Sequence, residues 1–364
     1  MRRICIILLI FLLFLFSLAP PIFAADESLP EVDIEIPGEV SEYVTPEIFS
    51  ASPEEIMSSF TFGNVMKTAL SVAEKIFPEI MEAFLGILGL IIISAVLAAL
   101  RESVASDAFG ALMEYVSVLC TAGAVFNFVG TLFAEFEAFI AQINSFMLSV
   151  IPALSALMLA SGQVTGSLVF SAVLSGAVTV LETLCASLVL PLLSALLCVN
   201  TCAKICGGDM LSGFSALIKS SVKTVLSFCT VGMGLVLAFQ GVIAKSADTA
   251  AVKGVKFVLG NAVPVVGGAL ADAAGTLTSS LGLLRASVGI ASAAVICLIF
   301  ALPIIKLLLW KLVFDGASAV AHALSLKKES GFFSEMSEIV GFLAAVGASI
   351  AIFFIIALTA AVAA

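Results

Sequence analysis

Charged side chains are scarce in this 364-residue sequence, where they make up 12% of the residues, about half of their share in an ordinary soluble domain. One His, one Trp and two Tyr leave little material for a His-based metal site, an acid–base dyad or an aromatic nucleic-acid platform. The formal net charge of -10 also repels phosphate. These shortages exclude a soluble globular protein and argue against nucleic-acid binding.

Long apolar runs are what the sequence has instead, since 61% of its residues are hydrophobic. Length and freedom from charge predict spans near residues 84–100, 115–133, 145–160, 166–181, 184–202, 224–243, 287–310 and 339–361. The fourth and fifth are doubtful, because the run that Glu182 interrupts also reads as one long span kinked at Pro191. The predicted fold is an all-α polytopic membrane protein, a helical bundle of seven or eight spans. The placement of Lys and Arg favours eight.

The first 25 residues have the three parts of a secretory signal peptide. Arg2 and Arg3 precede an apolar run over residues 4–16, and small residues follow before position 26. An uncleaved anchor is the alternative, because Ile22 is bulkier than the residue favoured three positions before a cleavage site. In both cases, the chain that follows begins outside the cytoplasm.

Residues 26–83 are predicted to form an acidic extracytoplasmic arm that ends in an amphipathic helix. Half of the 26 acidic side chains lie here. Residues 26–50 carry three prolines among acidic and small residues, which is typical of extended, poorly ordered chain. Over residues 64–76, polar and apolar side chains fall on opposite helix faces. This helix lies on the bilayer or the bundle, or docks a partner, and residues 84–364 form the polytopic bundle.

Glu182 is the strongest candidate for a functional residue, because an ionisable group inside a membrane is costly. Three interpretations stay open: the interfacial tip of a hairpin, a proton or ion relay in a wet cavity, and hydrogen-bonded helix pairing. Asn127, Asn200 and Gln240 are uncharged polar residues at or near the same depth.

The cysteines do not predict a metal site. Cys198, Cys202 and Cys206 share one helix face, but zinc sites favour closer pairs and a fourth ligand, and His322 lies far along the chain. We interpret them as small apolar residues at a helix contact. No metal, cofactor or catalytic residue is predicted, since an intramembrane enzyme needs a nucleophile with a base, or paired carboxylates. The expectation is therefore that the protein is not an enzyme.

The stretch near residues 253–286 predicts a broken or re-entrant segment. Its apolar run, residues 258–271, is too short to cross a bilayer. Pro264 lacks the donor that a helix needs, and Gly267 and Gly268 loosen the following turn. Breaks at membrane depth occur where protein or water satisfies the freed backbone, as in transport paths. A plain interfacial loop is the alternative.

A motif in this stretch carries a family resemblance: Asn261-x-x-Pro264-x-Val266-Gly267-Gly268, then Asp272-Ala273, Ser279, Arg285 and Val288-Gly289. It resembles the signature region of the stage III sporulation protein AE family. The layout of signal sequence, acidic arm, amphipathic helix and polytopic body agrees over essentially the whole mature chain. Candidate functional or structural residues are then Glu182, Asn261, Pro264, Gly267, Gly268, Asp272 and Arg285.

The resemblance implies a multi-pass protein of the mother-cell membrane that surrounds the engulfed forespore, with no catalytic residues to transfer. It implies partners from the stage III sporulation A operon, including a cytoplasmic ATPase and ring-forming proteins, and stage II sporulation protein Q from the forespore. The implied function is a subunit of a channel or feeding complex needed for forespore development after engulfment. The alternative is a stand-alone secondary transporter, which should show paired broken segments in two halves, whereas the sequence shows one.

Overall fold

The computed structural model describes residues 46–49, 55, 56, 58, 62–103, 107–161, 163–206, 211–232, 234, 235 and 267–363. The predicted signal peptide, most of the acidic arm, and Asn261 and Pro264 of the predicted break lie outside these residues. The described chain consists of helices and short connections, with no strand. The all-α class is therefore confirmed.

We number the long helices in chain order. A short 3-10 turn, Pro46–Phe49, precedes them, and a π-helical turn, Cys185–Val189, joins the third helix to the fourth without a loop. The helices are α1 (Phe62–Ser103), α2 (Asp107–Ala160), α3 (Val164–Leu184), α4 (Leu190–Cys206), α5 (Ser212–Gly232), α6 (Gly267–Ala323) and α7 (Lys327–Ala363).

The span count differs from the sequence prediction. Within the described residues, six helical runs are long and apolar enough to cross a membrane, whereas the sequence predicted seven or eight. Helix α2, with 54 residues, joins the predicted spans 115–133 and 145–160, and the run Val164–Lys204 joins the next two. At 1.5 Å per residue, α2 is about 80 Å long, more than twice the thickness of a bilayer's hydrocarbon core.

Local helix propensity explains why the predicted spans merge. Residues 134–144 contain Ala, Glu, Phe, Ile, Gln and Asn but no Gly or Pro, so their polarity does not end a helix. Glu182 likewise lies within α3, and the chain does not reverse there. The predicted hairpin tip at Glu182 is therefore wrong.

The alternative prediction was one long span kinked at Pro191, and the structure has one helical run, Val164–Lys204, with a π turn just before this proline. The π turn ends two residues before Pro191, and the Leu190 backbone N–H donates to the Cys185 carbonyl five residues earlier. Proline has no N–H, and its ring crowds the carbonyl four residues before it. A widened turn relieves that crowding while the chain stays helical.

The predicted amphipathic helix and the first apolar run are one continuous helix, α1. Asn64, Lys67 and Glu74 are exposed, whereas Val72 is buried, as the predicted separation of faces requires. Pro78 lies inside α1 without ending it. The predicted boundary between arm and bundle consequently falls inside this helix.

Helices α6 and α7 form the antiparallel centre of the bundle. In each, 61% of the most apolar stretch is buried, against 17% in α1 and α5. Phe139 of α2 packs edge-on against Phe300 of α6, with ring centroids 5.0 Å apart. A Cβ added at Gly347 of α7 would lie 3.4 Å from Phe136 and 3.8 Å from Phe139. The aromatic rings of α2 thus occupy the space that this glycine leaves.

We expect Gly347→Leu to destabilise the bundle by about 1–3 kcal/mol, because the added side chain overpacks this aromatic contact. The measurement is the melting temperature of detergent-purified protein, followed by size-exclusion chromatography after heating. Gly176→Leu on α3 is the matched control, since nothing lies within 4 Å of its added Cβ. Equal melting temperatures for the two variants would contradict the packing described.

Candidate functional site

Charged side chains inside the bundle link different helices, beginning with Lys306 of α6. Its ammonium Nζ lies 2.8 Å from Glu135 Oε1 on α2 and 3.4 Å from Glu79 Oε1 on α1. The Lys306 side chain is 21% exposed, whereas that of Glu79 is 65% exposed. One largely buried cation therefore joins three helices, and Glu135, which also accepts a hydrogen bond from Nζ, is its main partner.

A second network lies between α6 and α7, centred on Ser337. Lys311 Nζ donates to Ser337 Oγ at 2.6 Å and to Asp315 Oδ2 at 3.3 Å. The buried Ser337 hydroxyl in turn donates to Asp315 Oδ1 at 2.5 Å. Gly341 makes room for the lysine, since an added Cβ would contact the Lys311 stem at 3.7 Å. The three polar groups thus satisfy one another.

The acidic residues of α7 all lie in its first third, and each bonds to a different helix. Glu338 Oε2 is 2.6 Å from Lys219 Nζ on α5, and Glu335 Oε1 is 3.6 Å from Lys204 Nζ on α4. Glu329 is buried and accepts a hydrogen bond of 2.9 Å from the Ser117 hydroxyl of α2. The polar end of α7 therefore connects to helices on several sides of the bundle.

Two buried groups near Lys204 have unused hydrogen-bonding capacity. Asn200 lies one turn before Lys204 on α4 and is 1% exposed. Within the part of the chain that the structure describes, neither atom of its amide makes a hydrogen bond, and the same holds for Glu335 Oε2. Such groups are costly when buried. Asn200 thus places a buried amide one helix turn from the Lys204–Glu335 ion pair.

Glu182 pairs with a residue that the sequence analysis did not single out. Asn144 Nδ2 of α2 donates to Glu182 Oε2 of α3, and Glu182 is half-buried. Of the three interpretations, the geometry matches hydrogen-bonded helix pairing. The contact holds α2 and α3 side by side some five turns from their connection.

Arg285, another predicted site residue, lies in the N-terminal third of α6. It is buried, and its Nη1 donates to Gln163 Oε1 in the connection between α2 and α3. Gly267, Gly268 and Asp272 lie in the first turns of α6 and are helical. The described part of the predicted break is therefore regular helix.

The interior ion pairs were missed by the sequence analysis. Lys311 and Asp315, four residues apart, carried a signal, because this spacing places opposite charges together on one helix face. Lys306 and Glu135 are 171 residues apart, and nothing local connects them. Among the described residues, no three His, Cys, Asp or Glu side chains are placed to hold a metal ion. The arrangement is one of paired charges that fasten helices together.

Comparison with protein families gives a match. The family model described as stage III sporulation protein AE (spore_III_AE) matches residues 50–364, a range that contains every helix from α1 to α7. No curated protein and no solved structure matches the chain.

We expect Lys306→Met to lower stability more in the natural background than in a Glu135→Gln background. The lysine is largely buried and the glutamate is 42% exposed, so the coupling should be roughly 1 kcal/mol, between the values for exposed and buried pairs. A double-mutant cycle on melting temperatures measures it. Lys67→Met, at an exposed lysine of α1, is the control, and additive effects of Lys306→Met and Glu135→Gln would disprove the pairing.

Proposed function

Because the chain belongs to the stage III sporulation protein AE family, we propose that it is an integral membrane subunit of the channel or feeding complex that joins mother cell and forespore. In this role it lies in the mother-cell membrane around the forespore and sustains forespore development after engulfment. The observation that carries the proposal is the extent of the family match, which runs through the entire helical bundle.

The interior contacts support a subunit that holds a fixed shape. Lys306, Lys311 and the acidic end of α7 place their charges in pairs between helices. Separating such partly buried pairs is destabilising, so helices joined this way resist sliding past one another. A fixed bundle suits a component around which other proteins assemble.

A stand-alone secondary transporter fits the described residues less well. Secondary transporters have interrupted helices at corresponding positions in the two halves of the chain. In the described chain, the π turn between α3 and α4 has no counterpart in α6 or α7, both of which are regular α-helix. We therefore place this alternative second.

The proposed partners are the cytoplasmic ATPase and ring-forming proteins of the same operon, and stage II sporulation protein Q from the forespore side. The first part of α1 offers a surface for such contacts. Lys67 and Glu74 are exposed there beside Leu70 and Phe77, which are 54% and 50% exposed. A mixed polar and apolar surface of this kind is typical of protein–protein interfaces.

The proposal is tested by purifying a tagged copy from sporulating cells. We expect the ATPase and the ring-forming proteins to co-elute with it, and a late forespore reporter to fall in cells that lack the chain. An equally abundant, unrelated polytopic protein with the same tag is the control. The proposal fails if the companions co-elute with one another but not with this chain, or if forespore expression is unaffected by its deletion.

We further propose that the contribution of Glu182 is structural. Glu182→Gln keeps an oxygen to accept from Asn144, so protein level and sporulation should stay near normal. Glu182→Leu leaves the Asn144 amide without that acceptor and should cost about 1–3 kcal/mol, seen as a lower melting temperature. Severe loss of sporulation in Glu182→Gln at normal protein level would support a relay instead.

The stretch from Asn261 to Arg285 is proposed to serve the transport role. Its described end is anchored, because Arg285 is buried and bonded to Gln163. We propose the same role for the other candidate residues of this stretch, which are Pro264, Gly267, Gly268 and Asp272.

A further inference from the structure

Asn127 places an amide on the outer surface of the bundle at membrane depth. It lies in α2, where the chain has no charged residue between Glu114 and Glu135. At 1.5 Å per residue, Asn127 is about 20 Å from the first glutamate and about 12 Å from the second. Its side chain is exposed, so the amide lies on the outer surface of the described bundle, within an uncharged stretch about as long as the bilayer core is thick.

The described part of the bundle does not satisfy this amide. Val125 and Val129, on the other side of α2, are fully buried in the core, so Asn127 points away from it. Thr131 donates to the backbone carbonyl of Asn127 at 3.1 Å, but within the described chain the side-chain amide has no hydrogen bond of its own. In hydrocarbon, an amide without a partner costs several kcal/mol.

The surface around Asn127 allows another helix to approach closely. Cys120, Gly123 and Gly130 are exposed on the same face, seven and four residues before Asn127 and three residues after it. Nothing lies within 4 Å of a Cβ added at either glycine. Small residues one turn to each side of a polar residue are what close helix contacts in membranes use, with an interhelical hydrogen bond at the centre.

We propose that this face of α2 binds the same face of a second copy of the chain. Two copies inserted in the same orientation are related by a two-fold axis along the membrane normal, so each residue of the contact meets its own counterpart. An amide both donates and accepts, so two Asn127 side chains at equal depth satisfy each other. A second copy supplies that group automatically, whereas an unrelated partner would need a polar side chain at this same depth.

The charge of Glu135 does not oppose the pairing. The contact brings two copies of Glu135 near one another, two turns from Asn127, and like charges in that position would repel. Lys306 lies 2.8 Å from Glu135 and so balances its charge within each copy. Lys306 thus removes the repulsion between the two Glu135 carboxylates, whereas Glu137, exposed ten residues after Asn127, must turn its carboxylate away from the contact as the two helices approach.

The native Cys120 provides the test, in the full-length chain produced alone in a host without the other sporulation proteins. A variant that keeps Cys120 and has its remaining cysteines replaced is treated in membranes with a short bifunctional maleimide. We expect a cross-linked dimer of this chain. Asn127→Leu in that background should lower the dimer fraction several-fold, while Asn127→Gln, which keeps an amide, should retain most of it.

Cys198, exposed on α4, gives the matched control, since a variant with Cys198 as its single cysteine should stay monomeric at the same membrane density. Membrane levels of Asn127→Leu should equal those of the parent, because the substituted side chain lies outside the core. Equal cross-linking through Cys120 and Cys198, an unchanged dimer fraction in Asn127→Leu, or a product that contains a host protein would each overturn the proposal. None of these measurements depends on sporulation, so they stand apart from the proposed channel role.

Discussion

A charge inside an apolar helix bundle needs a partner, and the first third of α7 is where this bundle meets that requirement most often. Glu329, Glu335 and Glu338 bond to Ser117, Lys204 and Lys219 on three other helices. The interaction partners are spread around α7, so the helix is fixed in rotation as well as in depth. The remaining, apolar part of α7 then packs along α6.

The same constraint separates two kinds of surface on the molecule. Around α6 and α7, Lys306, Lys311 and Glu338 pair with opposite charges, and the apolar core packs around these pairs. On α1, α2 and α5, large apolar side chains face outward, where lipid or other helices cover them without cost. The centre of the bundle is therefore specified by hydrogen bonds and charge, whereas its periphery is left free to meet the membrane and other proteins.

The sequence predicted those features that local pattern controls. Hydropathy indicated the membrane class, and helical periodicity placed Val72 on the inner side of α1. The disturbance near Pro191 followed from the chemistry of proline. The pairings of Lys306 with Glu135, and of Ser117 with Glu329 across 212 residues, depend on how distant helices pack, and no local pattern records that. The polarity of Glu182 led to the wrong prediction of a hairpin tip there. Glutamate is costly to place in lipid, but it is a good helix former.

The π turn between α3 and α4 changes the direction, around the helix axis, in which the side chains after it point. Four buried residues follow one another at intervals of four positions: Leu181, Cys185, Val189 and Leu193. At about 100° per residue, the first and last of them would diverge by about 120° around a regular α-helix. The one extra residue in a π turn removes about 100° of that rotation, which brings the four side chains back to one side. The turn therefore keeps the buried side chains of α3 and α4 on one side of the helical run. They form one continuous stripe from α3, which packs on α2, to α4, which packs on α7.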